Sequence, residues 1–302
     1  MKLLTVAAAA VLTLGMAACS QSPEQQARAA AEARASTDVH PFSIGALQAY
    51  SLRDGGMTIL NDNKALGVGR TPQEVSALLT AAGQPGDTIS LGIEPLLIRD
   101  GDRLVLIDTG TGPQMGAGKL RASLTAAGFR PDQVTDILIS HSHGDHVGGL
   151  VNAAGELAFP NATIRMSAAE WTAAQGYAPA KALVKAITPK VQTFEPGAVV
   201  APGITSVAIN GHTPGHVGYE IVSGSDTLLY IGDAMHSSII SVQRPEWANA
   251  WDEDGPTAVA SREALMERAA SQNLRLYAGH FPWPGVGRIQ RRNDGFVWVP
   301  EA

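Results

Sequence analysis

Short apolar runs rich in β-branched residues recur along the chain and alternate with stretches of helical periodicity. Apolar runs of this kind, bounded by turn residues, are typical of buried strands. The alternation of strands and helices predicts an α/β (α+β) fold. We expect strands at 42–52, 88–108 with a hairpin turn at Asp100-Gly101, 137–139, 162–166, 191–194, 204–209, 218–222, 227–231, 274–278 and 296–299.

Capping residues mark the ends of the predicted helices. Thr71 and Glu74 form the capping-box signature of a helix N-terminus, and Gly83 is expected to end that helix. Ser167 and Glu170 repeat the signature before a helix that reaches 174. Further helices are predicted at 119–127 and 256–270, and the weakly patterned stretch 175–189 is predicted to be either a helix or a lid.

The chain has 302 residues, 45% of them hydrophobic, which suffices for one large domain or two modest ones. No linker or low-complexity stretch interrupts it beyond residue 40, and strands alternate with helices in both halves. We therefore predict a single domain over 40–302. A formal net charge of −6 gives no electrostatic reason to expect nucleic acid as a partner. The oligomeric state stays open.

Residues 1–19 are predicted to be a targeting segment. Lys2 precedes an apolar stretch too short to span a bilayer comfortably, and small residues precede Cys19. The segment resembles a bacterial lipoprotein signal, which would be cleaved before Cys19 and leave that cysteine lipidated. An ordinary secretory leader cut at the same alanines is the alternative. Either leader predicts export to the periplasm, and only the lipid on Cys19 would attach the protein to a membrane.

Residues 20–39 are rich in Ala, Gln, Glu and Arg and contain almost nothing to bury. This composition predicts a flexible tether between the leader and the domain. Cys19 is the only cysteine of the chain, so no internal disulfide is possible.

The most informative stretch follows the predicted strand at 137–139. Its sequence is HSHGDH over 141–146, and Gly148 and Gly149 behind it let the backbone turn tightly. Loops that leave the carboxyl end of a buried strand are where α/β proteins usually place their sites. Imidazole and carboxylate groups together are the ligands that zinc and similar metals take. The spacing predicts a metal site, the alternative being a His-rich surface loop.

This H-x-H-x-D-H pattern resembles the defining loop of the metallo-β-lactamase superfamily. The family's other ligand positions are matched in order by a TPGH motif and by two apolar runs that end in aspartate and histidine. The resemblance covers roughly residues 40–302. It implies a four-layer αβ/βα sandwich with the site at one edge. The implied metal ligands are His141, His143, Asp145, His146, His216, Asp233 and His280.

The resemblance also implies two divalent metal ions per chain, with zinc as the expected metal. Asp233 would bridge the two ions. A metal-bridging hydroxide would attack the substrate, with Asp145, Asp233 and His236 as catalytic residues. The implied ligand groups are His141, His143 and His216 for one ion and Asp145, His146 and His280 for the other.

Asp233 argues against a β-lactamase, because β-lactamases of this superfamily usually lack that bridging carboxylate. The segments GDAMH at 232–236 and GHFPWPGVG at 279–287 resemble the branch that contains quorum-quenching lactonases and methyl parathion hydrolase. The resemblance implies hydrolysis of a small lactone or carboxylic ester, as in acyl-homoserine lactonases. The alternatives are a phosphotriester hydrolase and a non-catalytic metal-binding lipoprotein.

Residues outside the implied ligand set are further candidates for the site. Many acyl-homoserine lactonases carry a tyrosine after the bridging aspartate, whereas the positions that follow here are Ala234, Met235, His236 and Ser237. His236 is expected either to donate a proton or to pack beneath the site. His212 is expected to be structural, and Asp108 is either a support for the metal loop or a plain turn residue. The predicted apolar mouth, with core packing as the alternative, consists of Trp247, Trp251, Phe281 and Trp283.

Overall fold

The computed structural model of the protein describes residues 37–113, 115–116, 118–293 and 295–301. The predicted leader, the lipidation site Cys19 and nearly all of the tether lie outside the described residues. The first strand begins at Val39, one residue before the predicted start of the domain. No helix in the described part of the chain is long and apolar enough to cross a membrane.

The described residues form the following elements. The strands are β1 (Val39–Ile44), β2 (Leu47–Leu52), β3 (Gly55–Leu60), β4 (Leu66–Val68), β5 (Thr88–Ile93), β6 (Leu96–Asp100), β7 (Arg103–Ile107), β8 (Asp136–Leu138), β9 (Thr163–Ser167), β10 (Val191–Phe194), β11 (Val199–Ala201), β12 (Ile204–Ala208), β13 (Val217–Ser223), β14 (Asp226–Tyr230), β15 (Ala248–Asn249), β16 (Arg275–Tyr277), β17 (Val286–Arg292) and β18 (Gly295–Pro300). The helices are α1 (Pro72–Ala81), α2 (Leu120–Ala126), α3 (Gly144–Val147), α4 (Ala168–Gly176), α5 (Lys181–Ile187), α6 (Ile240–Gln243) and α7 (Gly255–Ser271).

Two seven-stranded sheets form the body of the described chain. The first has the order β1-β2-β6-β7-β8-β9-β10, and the second has the order β11-β12-β13-β14-β16-β17-β18. Strands β7 to β10 run parallel to one another, and β14 runs parallel to β16. Parallel neighbours end at the same edge of a sheet, so the loops after β14 and β16 leave the second sheet together.

Apolar side chains pack in three layers around and between the sheets. Ile107 of the first sheet and Leu228 of the second belong to a core that both sheets share. Leu124 of α2 packs on the outer face of the first sheet, and Met266 of α7 packs on the outer face of the second. Full burial of one such side chain contributes about 1.5–3 kcal/mol. Helix, sheet, sheet and helix form four layers, which confirms the predicted sandwich.

Some strand predictions are wrong. The single strand expected at 42–52 is the hairpin of β1 and β2, which turns at Gly45 with a φ of 54°. A Cβ at Gly45 would lie 2.1 Å from the carbonyl oxygen of Ser223, so only glycine fits this turn. Strands β3 and β17 were not expected, because neither sequence contains a continuous apolar run. Strand β17 nevertheless pairs with both β16 and β18.

The helix predictions hold, with one exception in detail. Helix α1 has the predicted capping box between Thr71 and Glu74. Helix α4 begins after Ser167, whose hydroxyl accepts the backbone N–H of Glu170, but the Glu170 carboxylate does not return a bond to that cap. The Glu170 carboxylate instead accepts hydrogen bonds from Ser142 and Thr213. The stretch 175–189, predicted to be either a helix or a lid, is largely helical and contains α5.

Candidate metal centre

The His-rich loop after β8 meets residues that follow three strands of the second sheet. His141 and His143 lie between β8 and α3, and α3 carries Asp145 and His146. His143 and Asp145 are half-buried, whereas the other side chains of the cluster are buried. The second sheet contributes His212 after β12, Asp233 and His236 after β14, and His280 after β16.

A first group of possible metal ligands consists of three histidines and one oxygen of Asp233. Nδ1 of His143 lies 3.0 Å from Nε2 of His141 and 3.1 Å from Nε2 of His212. Oδ2 of Asp233 lies 3.6 Å from Nε2 of His141 and 3.4 Å from Nε2 of His212. Four donor atoms therefore converge within the reach of one ion.

A second group lies on the other side of Asp233. It consists of Asp145, His146 and His280, whose ligand atoms all lie within 4.8 Å of one another. Oδ1 of Asp233 lies 3.2 Å from Nε2 of His146 and 3.1 Å from Nε2 of His280. Oδ2 of Asp145 lies 3.6 Å from each of the same two nitrogens. Asp233 thus lies between the two groups, and its Oδ2 also lies 3.2 Å from Nε2 of His280.

The donor atoms of the cluster fit divalent cations. Among the described residues, Nε2 of His146 and Oδ1 of Asp233 are buried and have no hydrogen-bond partner. Buried polar atoms are normally paired, and an unpaired one costs about 1–3 kcal/mol. A nitrogen lone pair and a carboxylate oxygen that face each other are both satisfied by a cation between them. Imidazole nitrogen and carboxylate oxygen are donors that zinc accepts.

In four histidines a hydrogen bond at Nδ1 leaves Nε2 as the ring nitrogen that faces the cluster. His146 donates from Nδ1 to Asp108 over 2.7 Å, and His280 donates from Nδ1 to the carbonyl of Gly92 over 2.7 Å. His212 donates in the same way to a carboxylate, and Nδ1 of His141 lies 3.1 Å from a serine hydroxyl. An acceptor at Nδ1 fixes the tautomer in which Nε2 binds a metal.

The structure corrects the sequence analysis at His216, which is not a member of either group. Its Nδ1 donates to the carbonyl of Ile209 over 2.8 Å, and its Nε2 accepts the backbone N–H of Asp233 over 2.9 Å. Neither ring nitrogen is left for an ion, and His212 takes the predicted place of His216. A histidine stands at each end of HTPGH over 212–216, and the sequence analysis gave the ligand role to His216 and a structural role to His212. The deciding hydrogen bonds are long-range.

Asp108 supports the metal loop and is not a plain turn residue. Its carboxylate accepts hydrogen bonds from the backbone N–H and hydroxyl of Ser140 over 2.8 and 2.6 Å. It also accepts from Nδ1 of His146 and, over 2.7 Å, from the hydroxyl of Tyr230. Asp108 therefore joins the loop after β8 to the second sheet.

Glu170 has a role that the sequence analysis missed. Its side chain is fully buried, and Oε1 accepts the backbone N–H and the hydroxyl of Ser142 over 2.7 and 2.6 Å. Oε2 accepts the hydroxyl of Thr213 over 2.7 Å and the N–H of Gly215 over 3.1 Å. Glu170 thus ties the loop of His141 and His143 to the loop of His212.

His236 contacts the shared aspartate. Nε2 of His236 lies 3.0 Å from Oδ2 of Asp233, and Nδ1 lies 2.9 Å from the side-chain nitrogen of Asn249. The amide oxygen of Asn249 accepts the N–H of Trp251, which points the amide nitrogen at His236. The imidazole is therefore neutral, with Nε2–H donating to Asp233. Burial lowers the pKa of His236 to about 4, in agreement with this state.

Charges within the cluster shift the pKa values of its side chains in opposite directions. Burial alone would raise the pKa of Asp233, but the surrounding histidines, His146 first, hold it well below its usual range. Burial alone would lower the pKa of His280, but Asp233 and Asp145 raise it to about 9. Burial lowers the pKa of His141 well below its usual value. The cluster therefore concentrates negative charge at Asp233, where cations would bind.

Two of the four predicted mouth residues line a cavity beside the cluster. The cavity has a volume of about 590 Å³, and its walls include His280, Phe281 and Trp283. Trp247 does not line this cavity but packs in a core cluster of the described residues, and Trp251 packs against that cluster. The ring of Trp251 also lies 5.0 Å from that of His236. Core packing, the predicted alternative, is thus correct for the two earlier tryptophans.

The four-layer fold and the histidine–aspartate cluster define a class of protein, a metal-binding αβ/βα sandwich with its site at the ends of the strands. The profile of the metallo-β-lactamase superfamily matches residues 95–280. The chain belongs to this superfamily. The matched residues contain the described cluster from the loop after β8 to His280.

Curated relatives match part of the chain. A protein named "probable metallo-hydrolase" from Mycobacterium tuberculosis is 28% identical in an alignment of 189 positions that covers 49% of this chain and 58% of the relative. The chain thus spans little more than half the length of that relative. An N-acyl homoserine lactonase from Bacillus cereus is 26% identical in an alignment of 221 positions that covers 65% of this chain and 84% of the relative.

Solved structures match most of the chain. AidC, a dizinc quorum-quenching lactonase in complex with the product N-hexanoyl-L-homoserine, has a TM-score of 0.82 and 30% identity, covering 87% of this chain and 97% of AidC. AbOPH, a hydrolase of the β-lactamase superfamily, has a TM-score of 0.80 and 28% identity, covering 88% of this chain and 98% of AbOPH.

Proposed function

We propose that this chain is a metal-dependent hydrolase that opens lactones and carboxylic esters at a centre of two divalent ions, with zinc as the expected metal. The observation that carries the proposal is the position of Asp233, which belongs to the group of His141, His143 and His212 and whose Oδ1 also lies 3.2 Å from His146 and 3.1 Å from His280 of the other group. Binding of a single ion needs no such shared carboxylate. The likeness to AidC, a dizinc lactonase, supports the same function.

Divalent ions at this centre would polarise a substrate carbonyl and lower the pKa of bound water toward neutrality. The chain's own residues hold and tune that charge. Histidine lone pairs bind without adding charge, whereas Asp145 and Asp233 offset only part of it, so the site favours an oxygen that becomes negative. His236 donates its Nε2 proton to Asp233. It therefore holds the bridging carboxylate, rather than supplying a proton to substrate from that nitrogen.

The cavity beside His280 fits an acyl or aryl group. Its volume of about 590 Å³ lies within the range of small-molecule sites. Phe281 and Trp283 make part of its wall apolar, and Arg53 and Glu94 add charged groups. We propose that an apolar tail lies here while the ester carbonyl faces the ligand cluster. An acyl-homoserine lactone has this arrangement of groups.

The second candidate is phosphotriester hydrolysis, which the residues after Asp233 favour. Many lactonases carry a tyrosine after the bridging aspartate, but Ala234, Met235, His236 and Ser237 follow it here. Tetrahedral carbonyl and phosphoryl transition states both place negative charge on oxygen, so the centre itself serves both reactions. The relative rates on the two substrate classes decide between them.

We also propose that the chain is exported to the periplasm and anchored to a membrane through a lipid on Cys19. The charged and apolar segments of 1–19, which end in small residues before Cys19, support this proposal. Small-molecule esters are the partners that the site fits.

Metal content and turnover test the proposal together. Active protein should contain about two equivalents of divalent metal per chain, and chelation should abolish activity until zinc is restored. Asp233→Asn should reduce turnover more than His236→Ala, because Asp233 reaches both ligand groups. Full activity of exhaustively demetallated protein would refute the proposal.

A further inference from the structure

A buried arginine, Arg262 of α7, connects segments that carry ligand residues although it lies outside the cluster. Its side chain is 2% exposed. Nε donates to the carbonyl of Ala234, the residue after Asp233, over 2.8 Å. Nη1 donates to the carbonyl of Pro245 over 2.8 Å, and Nη2 donates to Oδ2 of Asp252 over 2.8 Å. A charge buried this deeply requires such partners, so the three acceptors fix its place.

Asp252 carries the connection from Arg262 to His212. Oδ1 of Asp252 accepts from Nδ1 of His212 over 3.0 Å, and the Asp252 side chain is 1% exposed. The proton on Nδ1 leaves Nε2 of His212 as the lone pair that faces His143. The backbone repeats the contact, since the N–H of Glu253 donates to the carbonyl of His212 over 3.0 Å. Both the tautomer and the orientation of the ring are therefore set from this turn.

The same turn reaches His236. The side-chain nitrogen of Asn249 lies 2.9 Å from Nδ1 of His236 and 3.4 Å from Oδ1 of Asp252. A shift of Asp252 would therefore disturb two histidines, His212 and His236, that both lie beside Oδ2 of Asp233. Asp252, Arg262 and Asn249 are not members of any group of possible metal ligands among the described residues.

We infer that Asp252 and Arg262 are positioning residues of the metal centre. Asp252 presents Nε2 of His212 to the ion, and Arg262 holds Asp252 and the Asp233 segment in one arrangement. The inference rests on the proposed metal binding of the cluster. Carboxylates behind a metal-ligating histidine orient the ring and raise its basicity, and their removal weakens metal binding by roughly 10–100-fold. A lysine at 262 could not reach three acceptors with a planar fork.

The experiment compares Asp252→Asn and Arg262→Lys with a matched control, Asp136→Asn. Asp136 is also a buried carboxylate bound to arginines, Arg103 and Arg165, but it begins β8 at the end away from the metal loop. For each full-length protein, Zn²⁺ affinity is measured by competition with a chromophoric chelator. The visible spectrum of the Co²⁺-substituted protein reports the ligand geometry, and urea unfolding of the metal-free protein reports stability.

Asp252→Asn should weaken Zn²⁺ binding by roughly 10–100-fold and shift the Co²⁺ bands, and Arg262→Lys should weaken binding by about tenfold. Asp136→Asn should lose stability while its Zn²⁺ affinity and Co²⁺ spectrum match wild type. Wild-type affinity and spectrum in both Asp252→Asn and Arg262→Lys would overturn the inference and leave the proposed function standing. A wild-type protein that binds no Zn²⁺ would overturn both.

Discussion

The backbone N–H of Asp233 donates a hydrogen bond to Nε2 of His216 over 2.9 Å. The opposite ring nitrogen of His216 donates to the carbonyl of Ile209 over 2.8 Å. His216 therefore ties the segment after β14 to the segment after β12 and has no nitrogen left for an ion. We therefore propose His212 as the ligand of this motif, since it belongs to a group of possible metal ligands and its Nε2 lies 3.4 Å from Oδ2 of Asp233.

These different roles predict that His212→Ala and His216→Ala have different effects on metal binding and stability. His212→Ala should lose metal affinity because it removes a donor atom. His216→Ala should keep its metal at saturating zinc but lose stability, since an unpaired buried N–H or C=O costs about 1–3 kcal/mol. Elemental analysis and thermal unfolding measure the two effects. Metal loss in His216→Ala alongside retention in His212→Ala would reverse the assignment.

Glu170→Gln should damage both stability and metal binding. The carboxylate accepts four hydrogen bonds from Ser142, Thr213 and Gly215, and an amide would turn a donor group toward some of these donors. We expect a loss of about 3 kcal/mol in the free energy of unfolding, together with weaker zinc binding. Urea denaturation and chelator competition measure these changes. The exposed Glu156→Gln is the control, and equal behaviour of the two variants would contradict the assigned role.

Glu94 predicts a pH dependence of stability. Its side chain is 4% exposed, and burial raises its pKa from 4.5 to about 8. Between these two values the folded state binds more protons at Glu94 than the unfolded state. The free energy of unfolding should therefore fall as pH rises through this window, by up to about 1.4 kcal/mol per pH unit from this group.

The comparison with Glu94→Gln isolates that contribution in metal-free protein. The stability of wild type relative to Glu94→Gln should fall steadily between about pH 5 and pH 8 and level off on either side. The exposed Glu263→Gln should show no such difference from wild type. A wild-type minus Glu94→Gln difference that stays flat across the window would show that Glu94 ionises normally.

The proposed lipid anchor is tested by fractionation. If Cys19 carries lipid, the wild-type protein should sediment with membranes, and Cys19→Ser should not be processed as a lipoprotein. Buried acyl chains contribute about 0.8 kcal/mol per CH₂ group, so multiple chains hold a protein firmly. Recovery of mature wild-type protein entirely in the soluble periplasmic fraction would favour an ordinary secretory leader.

The local sequence was sufficient for most strands and helices and for the H-x-H-x-D-H loop, whereas the four layers of the fold were implied by the resemblance to the superfamily. An apolar run predicts a buried strand from residues that are adjacent in sequence. The spacing within 141–146 likewise places several ligand candidates on one turn. The choice between His212 and His216 was different in kind. It depends on Asp252, 40 residues from His212, and on the N–H of Asp233, 17 residues from His216.

Glu170 was missed for the same reason. Its S-x-x-E context predicts a helix cap, whereas its carboxylate binds residues 28 and 43 positions away. The four aromatic residues show the same limit. All four were predicted to line a mouth because they follow ligand-bearing segments in sequence, but only Phe281 and Trp283 line the cavity. The partner of each buried side chain is set only when the two sheets pack together, so the local sequence does not predict it.

The most direct test of the central claim is kcat/KM of zinc-reconstituted protein on a long-chain acyl-homoserine lactone relative to an aryl phosphotriester, repeated after chelation. We predict a ratio above one and loss of both activities on chelation, because both reactions would use the ions held around Asp233. Lactone opening that survives complete removal of metal would contradict the account. A metal-dependent ratio well below one would instead assign the protein to phosphotriester hydrolysis.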